Sequence, residues 1–284
     1  VISRAPRPTL CAIVGDHAVG KRRLARGLAD WFGSDQCTLL ALDDYAVPPA
    51  ADAAPRPAPT RDPAAINLAL MAQHLRLLRQ GETVFKPVLE RSNGRLGAPE
   101  FLRPTPIILA FGLHGLATPE LRSLWDVSLF VAREHGDAPA DARIASQRDR
   151  ADAQLAVCTA ADGTPTRYEF RATRAVPLPA VDALRDSTEA LSVAEASAGT
   201  DVVRVEASID DVTAARIEAQ LLAALPEAPQ RRARRARGTE EDGPRGGAEA
   251  IAHLVVAHYL LERGMPRAEV SSAAARSAHP APGA

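Results

Sequence analysis

The sequence predicts an α/β fold. We expect a mostly parallel sheet with helices on both faces, extended at the C-terminal side by further strand and helix. Three observations predict it. An apolar run at 10–14 passes through a glycine-rich turn into a helical pattern. Short apolar strands then alternate with helical stretches as far as residue 131. Beyond that point a half-exposed alternating strand precedes one amphipathic and one strongly apolar helix.

The first strand is Leu10-Cys11-Ala12-Ile13-Val14, a continuous apolar run of the kind buried on both faces. It is followed by Gly15-Asp16-His17-Ala18-Val19-Gly20-Lys21, which spells G-x-x-x-x-G-K. Leu24, Leu28, Trp31 and Phe32 then recur at helical spacing. Strand, glycine-rich turn and helix together convert that spelling into a physical site. Backbone N–H groups at the helix start can cradle phosphates, and Lys21 can reach the terminal ones. Gly15, Asp16, His17, Ala18, Val19, Gly20, Lys21 and Arg22 are therefore the candidate nucleotide-binding residues. Position 22, where a Ser or Thr hydroxyl would hold Mg²⁺, carries an arginine.

Residues 37–42 form the next strand and end in Asp43-Asp44-Tyr45. Residues 46–63, rich in Pro, Ala and Asp, read as a loop. Leu68, Met71, Leu75 and Leu78 mark a helix over 64–80, stopped by Gly81. Ile107–Phe111 is a strand ending in Gly112-Leu113-His114, a short helix covers 120–124, and Val127–Val131 is another strand. In the second half, strands are expected at 168–173 and 202–205, with helices through Ile217, Leu221 and Leu225 and over 248–262. His253 and His258 on the last helix have no metal partner at i+3 or i+4, which favours packing or surface roles. The run Arg231–Arg237 reads either as an anion patch or as a solvated loop offset by Glu240-Glu241-Asp242. We expect one domain over 1–265, with a nucleotide-binding core at 1–150 and an extension at 151–265, and a disordered tail at 266–284.

Composition removes several function classes. The chain has 284 residues and a net charge of -1, with no global basic field for nucleic acid. Aromatic residues make up 4%, too few for a base-stacking platform. Cys11, Cys37 and Cys158 show neither C-x-x-C pairing nor metal spacing, which fits a reduced cytoplasm. No apolar run approaches the roughly 20 residues of a membrane span. No nucleic-acid or membrane partner is expected.

Leu42-Asp43-Asp44-Tyr45, Asp62-Pro63-Ala64-Ala65 with Asn67, Lys86-Pro87-Val88 with Gly94, Gly112-Leu113-His114-Gly115-Leu116 and Arg148-Asp149 complete a pattern. With the phosphate loop, it resembles the phosphoribulokinase and uridine kinase family, and phosphoribulokinase most. The resemblance spans roughly residues 8–265. It implies a P-loop kinase fold, ATP with Mg²⁺ as cofactor, and ATP-dependent phosphorylation of a pentose-phosphate hydroxyl in the cytoplasm. Asp43 would then be the base and a metal ligand, with Lys21 and Arg148 on the phosphates. Asp44, Tyr45, Arg61, Lys86, Arg91 and His114 would face the sugar phosphate. The resemblance leaves homo- or hetero-oligomers open.

Departures from the family pattern gather around the chemistry. Arg22 replaces the hydroxyl, and Phe111 replaces a glutamate. Ala46, Ala69, Leu89 and Arg91 replace polar or aromatic residues. Residues 151–167 are too few for the family's closing segment, so that lid reads as truncated. Two readings of Arg22 follow. It pairs with Asp43 or a nucleotide phosphate and supplies charge that Mg²⁺ would bring, or it faces solvent in a decayed site. The alternative function is a non-catalytic homologue that binds nucleotide or phosphate, or partners an active kinase.

Overall fold

Alternating strand and helix segments wind into one eight-stranded sheet. The structure is a computed structural model, and it describes residues 7–47, 61–90, 93–134, 144, 146–172, 191–196, 200–225 and 247–264. The strands are β1 (Thr9–Gly15), β2 (Cys37–Ala41), β3 (Val84–Lys86), β4 (Leu89–Glu90), β5 (Arg95–Leu96), β6 (Glu100–Leu102), β7 (Ile107–Phe111), β8 (Val127–Glu134), β9 (Ala153–Thr159), β10 (Pro165–Ala172), β11 (Leu191–Ala196) and β12 (Thr200–Glu206). The helices are α1 (Lys21–Phe32), α2 (Leu68–Arg79), α3 (Pro119–Leu124), α4 (Asp211–Ala224) and α5 (Gly247–Gly264).

The sheet order is β11-β12-β10-β9-β8-β1-β7-β2. From β9 to β2 all neighbours are parallel, and β10, β12 and β11 extend the sheet antiparallel. β3 pairs with β6 and β4 with β5 in two small ladders outside it.

The continuous apolar runs of β1, β7 and β8 are explained by burial on both faces. Cys11, Ile13, Leu109, Phe111, Leu129 and Val131 face α1 and α5 in one core layer. Leu10, Ala12, Ile108, Ala110 and Phe130 face α2 and α3 in the other. Leu24, Leu28 and Phe32 of α1 are almost fully buried. Each such side chain contributes roughly 1.5–3 kcal/mol, and together they fix the angle at which α1 leaves the phosphate loop. Asn67 caps α2 by accepting from Leu70 N, and Thr118 caps α3 by accepting from Leu121 N.

Every helix and sheet strand expected from sequence is present, with ends moved by a few residues. Residues 151–167 differ from expectation. Instead of a shortened spacer they hold β9, which adds parallel to β8, and the turn into β10. His253 is buried against Trp31 on α1, and His258 Nε2 lies 2.8 Å from the Leu221 carbonyl oxygen. Both are packing residues. The run 231–237 and the tail 266–284 lie outside the described residues. Among the described residues no helix is long and apolar enough to cross a membrane.

Candidate active site

Strand β1 lies between β7 and β8, with connections leaving in opposite directions. The crevice beyond its carboxyl end is where open parallel sheets hold ligands. The phosphate loop starts there at Gly15, whose φ is 139°. A Cβ on Gly15 would stand 1.9 Å from the Val131 carbonyl oxygen, so the close approach to β8 requires glycine. Three hydrogen bonds fasten the loop to the end of β8. Asp16 N donates to Val131 O at 3.0 Å, Arg133 N donates to Asp16 Oδ2 at 3.2 Å, and the Arg133 guanidinium donates to Ala18 O at 3.1 Å. Ala18 sits at φ 58°, a left-handed conformation that costs roughly 1–2 kcal/mol in a residue with a Cβ. The bond from Arg133 anchors its carbonyl. His17 and Ala18 are exposed, and Val19 tucks into the core beside α1.

Gly20, at φ 86°, caps α1, which begins with Lys21. No side chain caps the helix start and its first turn carries no acid. That end therefore offers positive helix dipole and backbone donors to an anion. The Lys21 ammonium folds back on the loop, donating to Gly15 O at 3.1 Å and to Asp16 O. Burial lowers its pKa from the ordinary lysine value to about 8, against the upward pull of the Asp43 and Asp16 carboxylates. A buried ammonium bonded to two carbonyls is a cation poised for a phosphate group.

Asp43, Asp44 and Tyr45 occupy a 3-10 turn, Leu42–Tyr45, that follows β2. Asp43 is half-buried and lies in the electrostatic field of Lys21. The end of β7 closes on this turn: a Cβ on Gly112 would stand 2.7 Å from the Leu42 Cβ and 3.4 Å from Asp43 Oδ1. Asp44 points the other way. Its Oδ2 accepts from the Lys86 ammonium at 2.7 Å and its Oδ1 from Leu89 N at 3.3 Å. Lys86 also meets Glu100 Oε2 at 2.8 Å. Burial works to lower the Lys86 pKa, but its hydrogen bonds to Asp44 and Glu100 outweigh that and raise it. Tyr45 is buried, its hydroxyl 3.0 Å from His74 Nδ1, with the rings edge-on at 5.6 Å. Burial, then the Asp44 charge, raise the tyrosine pKa.

The structure thus gathers the loop 15–22, Asp43 and the end of β7 at one corner of the sheet. Asp44 and Lys86 are joined to each other, and Tyr45 lies in the core beneath them. His114 is buried in the turn after β7. Arg61 is exposed, and Arg91 lies outside the described residues. Arg148 reaches Glu134 Oε1 at 3.3 Å, at the end of β8. Sequence reasoning missed two residues that shape the site. Arg133 lies inside β8, two residues beyond Val131 where the sequence reading ended that strand, and its side chain reaches the phosphate loop. Gln147 is buried; it donates to Leu113 O at 2.8 Å and accepts from Leu116 N at 2.9 Å, pinning the turn that carries His114. No sequence signal distinguishes it.

Positions 22 and 111, two of those expected to serve Mg²⁺, carry no oxygen, while Asp43 keeps its carboxylate at the same corner. The Arg22 guanidinium lies 5.9 Å from the centroid of the Phe111 ring, within cation–π range. Among the described residues no group of three or more His, Cys, Asp or Glu is placed to hold a metal ion. Hard divalent cations take oxygen ligands. A guanidinium stacked on a phenyl ring supplies no oxygen ligand, so at this corner the Asp43 carboxylate is the candidate left for Mg²⁺.

Residues 10–152 match the family model described as the Phosphoribulokinase / Uridine kinase family. The phosphoribulokinase of Synechocystis is 30% identical over 125 residues, 44% of this chain and 38% of that protein. The uridine kinase of Alkaliphilus metalliredigens is 29% identical over 141 residues, 49% of this chain and 65% of that protein. The chain spans between a third and two thirds of the length of such relatives. Among solved structures, D-glycerate 3-kinase from Cryptococcus neoformans aligns with a TM-score of 0.35 at 11% identity, over 56% of this chain and 88% of that one.

Proposed function

The chain belongs to the phosphoribulokinase / uridine kinase family, and on that premise we propose that it transfers the γ-phosphoryl group of ATP to a hydroxyl of a small sugar phosphate. One observation carries the reading: the buried Lys21 ammonium and the Asp43 carboxylate influence each other at the carboxyl ends of β1, β2 and β7. Phosphoryl transfer needs positioning and charge neutralisation more than covalent chemistry. The backbone of loop 15–20 and the start of α1 would bind the β- and γ-phosphates. Lys21 would leave the Gly15 and Asp16 carbonyls for the phosphate oxygens. Asp43 would accept the proton of the attacking hydroxyl. Gly112 keeps the approach to Asp43 narrow, and Arg133 fixes the loop that receives the phosphates.

A pentose phosphate is our proposed acceptor, with Arg61, Arg91 and His114 as candidate contacts and Arg148 as a phosphate contact. Asp44, Tyr45 and Lys86 support this surface from beneath. The test is steady-state transfer from ATP to ribulose 5-phosphate and to uridine. Transfer that Asp43→Asn abolishes, with ATP affinity retained, supports the reading. The Arg22–Phe111 stack favours a second reading, a homologue that binds nucleotide without turning it over. Absence of turnover with tight ATP binding would select that one.

A further inference from the structure

We propose that Arg23 is a positioning residue for the nucleotide loop, held through Glu249 by helix α5, so that ATP binding at loop 15–22 and the seating of α5 are coupled. The inference rests on the loop 15–22 being a nucleotide site, and does not depend on phosphoryl transfer. Three features of the structure lead to it.

The first is where Arg23 stands. It is the third residue of α1, in the turn that follows the glycine-rich loop. Leu24 N donates to Gly20 O at 2.9 Å and closes that turn. The backbone N–H groups of residues 21–23 therefore have no acceptor within the helix, and they are the donors a phosphate would meet. The Arg23 side chain leaves this turn toward α5, where its Nη2 lies 2.7 Å from Glu249 Oε2. The contact is a charge pair rather than a directed hydrogen bond, because Arg23 Nε and Nη2 are buried without a hydrogen-bond partner among the described residues. Both side chains are mostly buried, so solvent screens the pair less than it would at the surface.

The second is a stripe along α1. Arg23, Gly27 and Trp31 recur every fourth residue and share one face of the helix. Glu249 and His253 are likewise four apart on α5. Arg23 meets Glu249, and the Trp31 ring meets that of His253 edge-on. Gly27, the middle residue of the stripe, is buried and has no side chain to hold the helices apart. Helix α5 thus grips α1 at its first turn and again near its end.

The third is what stands behind α5. Its Gly247 N donates to Glu218 Oε1 of α4 at 3.0 Å, and His258 meets the Leu221 carbonyl of the same helix. Tyr259 packs edge-on against Phe170 of β10 with ring centroids 5.3 Å apart. Tyr168 of the same strand lies in the field of the charge pair: burial, then the Glu249 charge, raise its pKa to about 12, and Arg23 opposes them. Helix α5 therefore ties α4 and the antiparallel part of the sheet to the turn that would receive the phosphates. Misplacing such positioned groups by about 1 Å can cost ~10²-fold.

The experiment is titration of the full chain with a fluorescent ATP analogue in Mg²⁺ buffer, for the unmodified chain, Glu249→Gln, Arg23→Met and the double variant. Hydrogen exchange of residues 248–262, with and without saturating ATP, supplies a second readout. Glu249→Gln removes a negative charge and keeps the arginine, so electrostatics alone would leave ATP binding unchanged or tighter. Positioning requires the reverse, a loss of about tenfold in Glu249→Gln, and a double variant no weaker than Arg23→Met because the pair acts as one. By reciprocity, ATP should slow exchange in α5 at least about threefold in the unmodified chain and not in Glu249→Gln. Unchanged or tighter binding by Glu249→Gln overturns the inference and leaves the nucleotide site standing. So do additive losses in the double variant, α5 exchange indifferent to ATP in the unmodified chain, or equal slowing in Glu249→Gln. Failure of the unmodified chain to bind the analogue overturns the nucleotide site itself, and this inference with it.

Discussion

Replacing His253 should remove a specific part of the protein's acid sensitivity. His253 lies on α5 with its ring 6.4 Å from that of Trp31, and it is 4% exposed. Its Nδ1 has no hydrogen-bond partner among the described residues, and its Nε2 is 3.9 Å from Glu249 Oε1, too far for a hydrogen bond. Burial, reinforced by the nearby Arg23 charge, lowers its pKa from 6.5 to about 3. A histidine depressed in the folded state binds its proton in the unfolded chain first. Its stabilising share is complete above pH 6.5 and is withdrawn as pH falls toward 3. At pH 5 the unfolded imidazole is almost fully charged and the folded one is not. The difference is about 1.5 pH units, or ~2 kcal/mol. Urea denaturation at pH 7 and pH 5 measures it. The wild-type chain should lose ~2 kcal/mol more than His253→Leu over that interval. Carboxylates, His74 and His258 are common to both chains and cancel. Equal losses in the two would show that the folded imidazole is hydrated or charged, and would refute the reasoning.

Three further outcomes are expected. Lys21, with a pKa of about 8, should make ATP affinity flat near pH 7 and about tenfold weaker at pH 9, because phosphate binds its charged form. Lys21→Met should bind weakly with no such slope, as calorimetry across pH would show. Gly15→Ala drives a Cβ into the Val131 carbonyl and should cost about 3–4 kcal/mol in thermal unfolding; a loss under 1 kcal/mol would mean the loop can shift away from β8. Lys86→Met strands the Asp44 carboxylate and should destabilise by about 3–5 kcal/mol, largely restored in the double variant with Asp44→Asn.

Where one side chain pattern encodes one element, the sequence was readable. The period of Leu24, Leu28 and Trp31 and the unbroken apolar run of β1 reflect local burial, and the structure has both. β9 was passed over because its seven residues lack a flanking glycine or proline signal at the start, and only pairing with β8 makes them a strand. The ladders β3–β6 and β4–β5 are two or three residues long, below any periodicity. Within the site, the phosphate loop is legible because its residues are contiguous. The Asp44–Lys86–Glu100 cluster, the Arg133 clamp and the Arg22–Phe111 stack join positions separated by long stretches of chain, and each is set by tertiary register.

The most direct measurement is a single-turnover reaction with the chain in excess over γ-labelled ATP, offered ribulose 5-phosphate and then uridine. We predict that label moves to the hydroxyl of the pentose phosphate in the unmodified chain and stays on ATP in Asp43→Asn, which still binds the nucleotide. Label remaining on ATP in both chains, or moving equally in both, would contradict Asp43 as the base of a phosphoryl transfer at this site.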